Sequence, residues 1–233
     1  MTDVQPSRSR LPQFRHTIAG AAVAELRRRI LSGSVSAGEA LRQDALAKEF
    51  GISRIPIREA FRQLAAEGLV TIHPHRGAVV TALSAADIAE LFDLRAMLEP
   101  DLIRRAVPHL KLGDFAAAES ILADYATAIS NGDVDAWGEL NTEYHLSLYG
   151  PAGRSQTLEL VRMLLVNTDR YTRVQLAMSA GATARAKQEH AALLDFCRKG
   201  DAEGAARLTL EHVLAVKQDL LLLLPSDDAD ETL

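Results

Sequence analysis

The stretch Gly51-Ile52-Ser53-Arg54-Ile55-Pro56-Ile57-Arg58-Glu59-Ala60-Phe61-Arg62-Gln63-Leu64 constrains this chain most. Glycine enters the left-handed conformation at little cost, so Gly51 can end one helix. Ser53 can cap the next. Pro56 falls in its first turn, where a missing N–H breaks no helical bond. Ile57, Ala60, Phe61 and Leu64 recur at i, i+3, i+4 and i+7, which is one buried face. Arg54 and Arg58, four apart, share a different face. An apolar back with an arginine front at its N-terminal end is what a helix needs to enter a DNA major groove, where guanidinium groups reach guanine edges or phosphates. A plain amphipathic helix with solvated arginines carries the same pattern, so the neighbours have to decide.

Upstream, Asp44-Ala45-Leu46-Ala47-Lys48-Glu49-Phe50 has helical apolar spacing and runs straight into Gly51. Helix, glycine turn and arginine-fronted helix make a helix-turn-helix. Downstream, Gly68-Leu69-Val70-Thr71-Ile72 reads as a strand, His73-Pro74-His75-Arg76-Gly77 as a turn and Ala78-Val79-Val80-Thr81 as a returning strand. That hairpin is a wing, with Arg76 at its tip within reach of phosphate or minor groove. Before all of this, Thr17 to Ser32 is a first helix with Ala19, Val23, Leu26 and Ile30 spaced for burial, stopped by Gly33.

Leu41 to Leu69 resembles the winged helix-turn-helix of the GntR family of bacterial transcription regulators. The residues that carry the likeness are Leu46-Ala47, Phe50-Gly51-Ile52-Ser53-Arg54, Pro56-Ile57-Arg58-Glu59-Ala60, Leu64 and Glu67-Gly68-Leu69-Val70. The family usually has proline where Ala37 precedes Gly38. The resemblance implies a phosphate contact at Arg42, which with Gln43 opens the second helix. The expected DNA-contacting set is therefore Arg42, Ser53, Arg54, Ile55, Pro56, Arg58, Arg76 and Gly77.

The net charge of −5 looks wrong for a DNA-binding chain until it is divided. Residues 1–80 carry 12 Lys and Arg against 7 Asp and Glu, and the remainder 14 against 24. A basic module joined to an acidic effector domain has this asymmetry. The single cysteine, Cys197, excludes an internal disulfide and points to a reducing cytoplasm. Met1 to Gln13 is polar, bears Pro6 and Pro12 and has no apolar core, so it does not read as a signal peptide. Leu220 to Leu224 is far too short to span a membrane.

The sequence divides into a disordered tail at 1–15, a winged helix-turn-helix domain at 16–82, a helical domain at 83–224 and an acidic tail at 225–233. The fold class is mainly α. Ser84-Ala85-Ala86-Asp87 reads as a capping box that opens the second domain. Six helices follow: Asp87 to about Val107 with a kink expected at Pro100, Asp114 to Ser130, Asp133 to Tyr149, Arg154 to about Ala177, Thr183 to Lys199 and Asp201 to Leu223. Short loops between antiparallel helices make a bundle.

Three of these helices carry a histidine in line with an apolar stripe: His145, His190 and His212. A buried imidazole needs a partner, and a divalent metal is one. Asn141 lies one turn before His145 and offers a carbonyl oxygen. For any one of them alone, a histidine hydrogen-bonded on its own or exposed is the commoner outcome, and spacing does not establish convergence.

This half resembles the FCD effector domain of the FadR-type branch of the same family. The likeness rests on Leu94-Arg95, Leu98-Glu99-Pro100, Asn141-Thr142-Glu143-Tyr144-His145, Glu189-His190 through Leu193-Leu194, Gly200-Asp201, Ala205-Ala206 and His212. Many FCD domains bind a metal through an aspartate and three histidines, which implies His145, His190 and His212 as ligands. Asn141 stands where the family most often has aspartate, which removes a negative charge. The implied ion is zinc, with nickel or manganese as alternatives. The implied effector is a small carboxylate beside the metal, with Arg95 as a second cation unless it pairs with Glu99 on its own helix. Arg170 and Arg173 are further cations, expected to be solvated or to face a dimer partner, and Glu143 is expected to face solvent.

These readings converge on a cytoplasmic, homodimeric transcription regulator that binds a pseudo-palindromic operator and is not membrane-associated. A metalloenzyme is the rival from another class. No HExxH motif and no separate general base support it. An acyl-CoA-responsive regulator is the rival within the family; such members lack the histidine set.

Overall fold

The computed structural model describes residues 18–73, 77–179 and 181–223. The expectations for the tail at 1–15, for Arg76 and for the acidic tail at 225–233 lie outside the described residues, as does the side chain of Arg170.

The first helix, α1 (Ile18–Leu31), buries Val23, Leu26 and Ile30, while Ala19 is half-buried. Next come β1 (Ala40–Leu41), α2 (Gln43–Phe50), α3 (Arg54–Ala66), β2 (Val70–His73) and β3 (Gly77–Val80). Gly51 ends α2 in the left-handed conformation at φ 65°, the geometry that glycine adopts without a β-carbon clash. Ile57, Ala60, Phe61 and Leu64 are all buried, and they close a core with α1, Leu46 and Ala78 and Val80 of β3.

Three local expectations change. Ser53 holds the cap position of α3 with an extended backbone, yet its side chain makes no cap hydrogen bond. Gly68 and Leu69 form a turn rather than strand, with Gly68 at φ +76°. The hairpin also has a third strand: β1 pairs antiparallel with β3, which lies between β1 and β2. A two-residue strand has no period to read, so its partner alone defines it.

From Ala85 onward the described residues are helical apart from turns and loops: α4 (Ala85–Ala106), α5 (Leu112–Asn131), α6 (Val134–Tyr149), α7 (Ser155–Met178), α8 (Ala182–Arg198) and α9 (Ala202–Leu223), with short 3-10 turns at Val107–His109 and Gly150–Ala152. The capping box is formed: Asp87 N donates to Ser84 Oγ, and Ser84 N donates to the Asp87 carboxylate. Helix α4 runs through Pro100 without a break. The bundle core gathers Leu102, Ile103, Tyr144, Leu148, Val161, Leu165, Leu193 and Leu194. None of the described helices is long and apolar enough to cross a membrane.

Candidate nucleic-acid interface and metal centre

The buried face of α3 fixes where its other side chains stand. Arg54, Arg58 and Arg62 succeed one another at four-residue intervals, and all three are exposed. Arg42, just before α2, joins them. Together with Gln43, Asp44, Ile72, His73 and Gly77 they line a cleft of about 970 Å³ between the helices and the wing. Arg54 pairs with Asp44 at 2.7 Å, and its carbonyl accepts from Gln43 Nε2 at 2.7 Å. Both charged partners are largely exposed, so the pair contributes little and can yield to a phosphate.

Ile55 is 57% exposed in the first turn of α3, an unusual place for a large apolar side chain and one that suits a thymine methyl. Pro56 is half-buried. Gly77 has a structural reason to be glycine: at φ +93° a β-carbon would fall 2.2 Å from the Leu41 carbonyl oxygen that β1 brings alongside. Sequence reasoning passed over Arg62 and His73. The four-residue step from Arg58 was enough to find Arg62; His73 depends on the wing folding back.

The second constellation lies in the bundle. His145 on α6, His190 on α8 and His212 on α9 converge and are buried, each offering a ligand atom within 4.8 Å of the others. Their ring centroids are 5.0 to 5.5 Å apart. Hydrogen bonding orients two of the rings. The Tyr149 hydroxyl donates to Glu99 Oε2 at 2.8 Å, so toward His145 Nδ1, 3.2 Å away, it presents a lone pair. Nδ1 of His145 therefore carries the proton and Nε2 is bare. His212 Nδ1 lies 2.6 Å from Glu189 Oε2 and donates to it, so Nε2 is the nitrogen that could turn to a ligand.

Nε2 of His145 and both ring nitrogens of His190 are buried without a protein partner. Burial holds His145 and His190 well below the ordinary imidazole range, assisted by the neighbouring histidines, so both present neutral rings. Each buried ring nitrogen left without a partner is unfavourable by roughly 1–3 kcal/mol. A divalent cation would take one lone pair from each ring, leaving the second nitrogen of His190 as an N–H, and the all-imidazole donor set fits zinc, nickel or copper better than calcium. Asn141 is buried, and with Tyr125, Glu189, Arg185 and His212 it lines a cavity of about 10 Å³ beside the cluster, room for about one water.

Of the two roles open to Arg95, the structure has the ion pair. Its Nε donates to Glu99 Oε1 at 2.6 Å and Nη1 to Thr168 Oγ1 at 3.0 Å, and the guanidinium lies over the Phe92 ring. Arg95 is buried and does not line the cavity beside His212. Arg173 is not solvated as expected; it is buried against Asp169 at 2.8 Å, one turn away. Glu143 is exposed. Of the outer partners, Glu99 was expected as the possible mate of Arg95, whereas Glu189 and Tyr149 were given no role from sequence, although Glu189 adjoins His190 and Tyr149 lies one turn after His145.

A winged helix-turn-helix joined to an all-helical bundle with a buried histidine cluster defines a two-part protein: one module shaped for a nucleic-acid groove and one with an internal site. Residues 18–80 match the model of the bacterial regulatory proteins of the gntR family, and residues 90–215 that of the FCD domain. The chain belongs to the GntR family and carries an FCD domain.

Among relatives, it is 33% identical to the uncharacterized HTH-type transcriptional regulator YdhC of Bacillus subtilis over 52% of this chain and 54% of that protein. The aligned part thus spans only about half of that relative. It is 25% identical to the HTH-type transcriptional repressor RspR of Escherichia coli over 84% of this chain and 85% of that one. The solved structure of E. coli McbR/YncC superposes with a TM-score of 0.73 at 20% identity, covering 87% of this chain and 97% of that chain, and shares the fold.

Proposed function

We propose that this protein is a DNA-binding transcription repressor that works as a homodimer on a pseudo-palindromic operator. A small carboxylate, bound beside a divalent metal in the helical bundle, sets its hold on DNA. The observation that carries the reading is the cleft ringed by Arg42, Arg54, Arg58 and Arg62, with Asp44 the one acid among its lining residues. Arg54 and Arg58 read guanine edges or clamp phosphate, and Ile55 and Pro56 pack against the groove. Arg42, Ser53, Arg62 and the Arg76-Gly77 wing hold the backbone. A relative named as a repressor, RspR, supports the sign of regulation.

In the bundle, His145, His190 and His212 hold the ion, zinc first, with Asn141 as a neutral oxygen donor. A bound ion would supply a positive charge for a carboxylate, and the cavity of about 10 Å³ beside His212 would have to widen to admit it. Arg95 acts from behind through Glu99 and Tyr149 rather than by touching the effector. The effector shifts the DNA equilibrium only by its differential affinity for two states, about 1.4 kcal/mol for each factor of ten. Helices α4 and α9 pack together and leave Leu94, Met97, Leu210, Leu214 and Leu221 exposed, an apolar face that suits a two-fold partner.

Footprinting tests the central claim. Arg54→Ala combined with Arg58→Ala is expected to abolish specific operator protection while the circular dichroism spectrum stays that of the parent. The same protected site in the double variant would remove α3 from the recognition role.

A further inference from the structure

We propose that Glu189 is a metal-positioning residue, supplying through His212 the negative charge that Asn141 does not bring to the site. The inference rests on the metal reading above. Three neutral imidazoles and an amide would face a divalent ion with no charge of their own. Glu189 Oε2 stands 2.6 Å from His212 Nδ1, and its other oxygen, Oε1, lies 3.9 Å from Arg185 Nε. Arg185 is in turn held by Asp219, which also accepts from Gln175 Nε2 at 2.7 Å. The carboxylate thus has a guanidinium charge near one oxygen and the imidazole hydrogen-bonded to the other. Among the described residues it is the one carboxylate paired directly with a histidine of the cluster.

The chemistry follows from where the proton sits. With Nδ1–H committed to Glu189, His212 can offer only Nε2, in a ring orientation fixed before any ion arrives. A carboxylate on the far nitrogen also makes the ligating nitrogen more basic, and loss of such a partner typically weakens metal binding by about 10–100-fold. Glu189 precedes His190, so one turn of α8 provides both a ligand and the support for a ligand on α9.

The test uses zinc alone, measured by competition with a chromophoric chelator on the full chain, together with the visible spectrum of the cobalt form. Glu189→Gln is expected to weaken zinc binding by about 10–100-fold and to change the cobalt bands, with the metal-free melting temperature unchanged. Glu189→Asp is expected to keep most of the affinity. Asn141→Asp should recover more affinity in the Glu189→Gln background than it adds to the parent. Equal zinc affinity and an unchanged cobalt spectrum in Glu189→Gln would overturn the proposal. So would a loss shared fully by Glu189→Asp and accompanied by a lowered metal-free melting temperature, which would mark a structural residue. A parent protein that takes up no zinc would instead remove the metal reading beneath it, a result distinct from parity between parent and variant.

Discussion

Gly138 sits where α6 meets α7. A β-carbon there would fall 1.6 Å from Asp169 Oδ1 and 2.6 Å from Arg173 Nε, the two members of a buried ion pair. Gly138→Ala is expected to lower stability by on the order of 3 kcal/mol, because the added methyl must displace a member of a buried ion pair. A urea midpoint measured against the parent protein checks this; an unchanged midpoint would mean that the helices slide apart freely. From sequence, a glycine inside a helix reads only as a weak point, and its reason lies on a helix elsewhere in the chain. Arg95 teaches the same lesson from the other side. Its four-residue spacing to Glu99 made the pair legible, but the burial of both, and the hydrogen bond to Thr168 on α7, depend on which way α4 is turned.

At the scale of elements, α7 connects the two halves. Asn167 packs against Gly68 in the turn after α3, where a β-carbon would come 2.9 Å from its amide. Tyr171 Oη accepts from Leu83 N at 3.2 Å, in the segment leaving the wing. The next turn supplies Thr172 and Gln175, which line the cavity beside His212, and Thr168 holds Arg95. One rigid helix therefore touches both the exit of the DNA-binding module and the wall of the candidate metal site. Tyr171→Phe is expected to cost about 1 kcal/mol of stability through the lost hydrogen bond. It should also shrink the change in operator affinity that zinc or an effector produces, read by fluorescence anisotropy with and without zinc. An undiminished zinc response would show that coupling runs elsewhere. Helix ends were well marked in the sequence, because caps and glycine stops act within a few residues. The role of α7 as a connector was not marked, because each of its contacts is long-range.

For the whole molecule, the buried histidines set a pH limit. His145 and His190 are held neutral by the fold, whereas in the unfolded chain they regain the ordinary value of 6.5. Below that pH the unfolded state binds more protons, so folding is penalised. The metal-free protein is expected to keep this stability above about pH 6.5 and to lose it as pH falls further, by up to about 1.4 kcal/mol per pH unit for each histidine. Urea midpoints of chelator-treated protein from pH 8 down to pH 5 would show it; a flat profile would mean that the histidines are not neutral in the core. Saturating zinc should raise the midpoint at neutral pH, since a ligand that binds only the folded state stabilises it.

The division of labour between sequence and tertiary structure then follows from range. Apolar periodicity, the Gly51 stop, the Ser84-Asp87 box and the charge asymmetry are local or additive, and they determined the helix-turn-helix, the helices of the bundle and the arginine front. The convergence of His145, His190 and His212, the sealing of Arg95, the third strand at Ala40–Leu41 and the carboxylate of Glu189 on His212 were decided only by tertiary structure. The rotation of each helix about its axis is set by how its side-chain ridges seat in those of its neighbours, and no single helix carries that information.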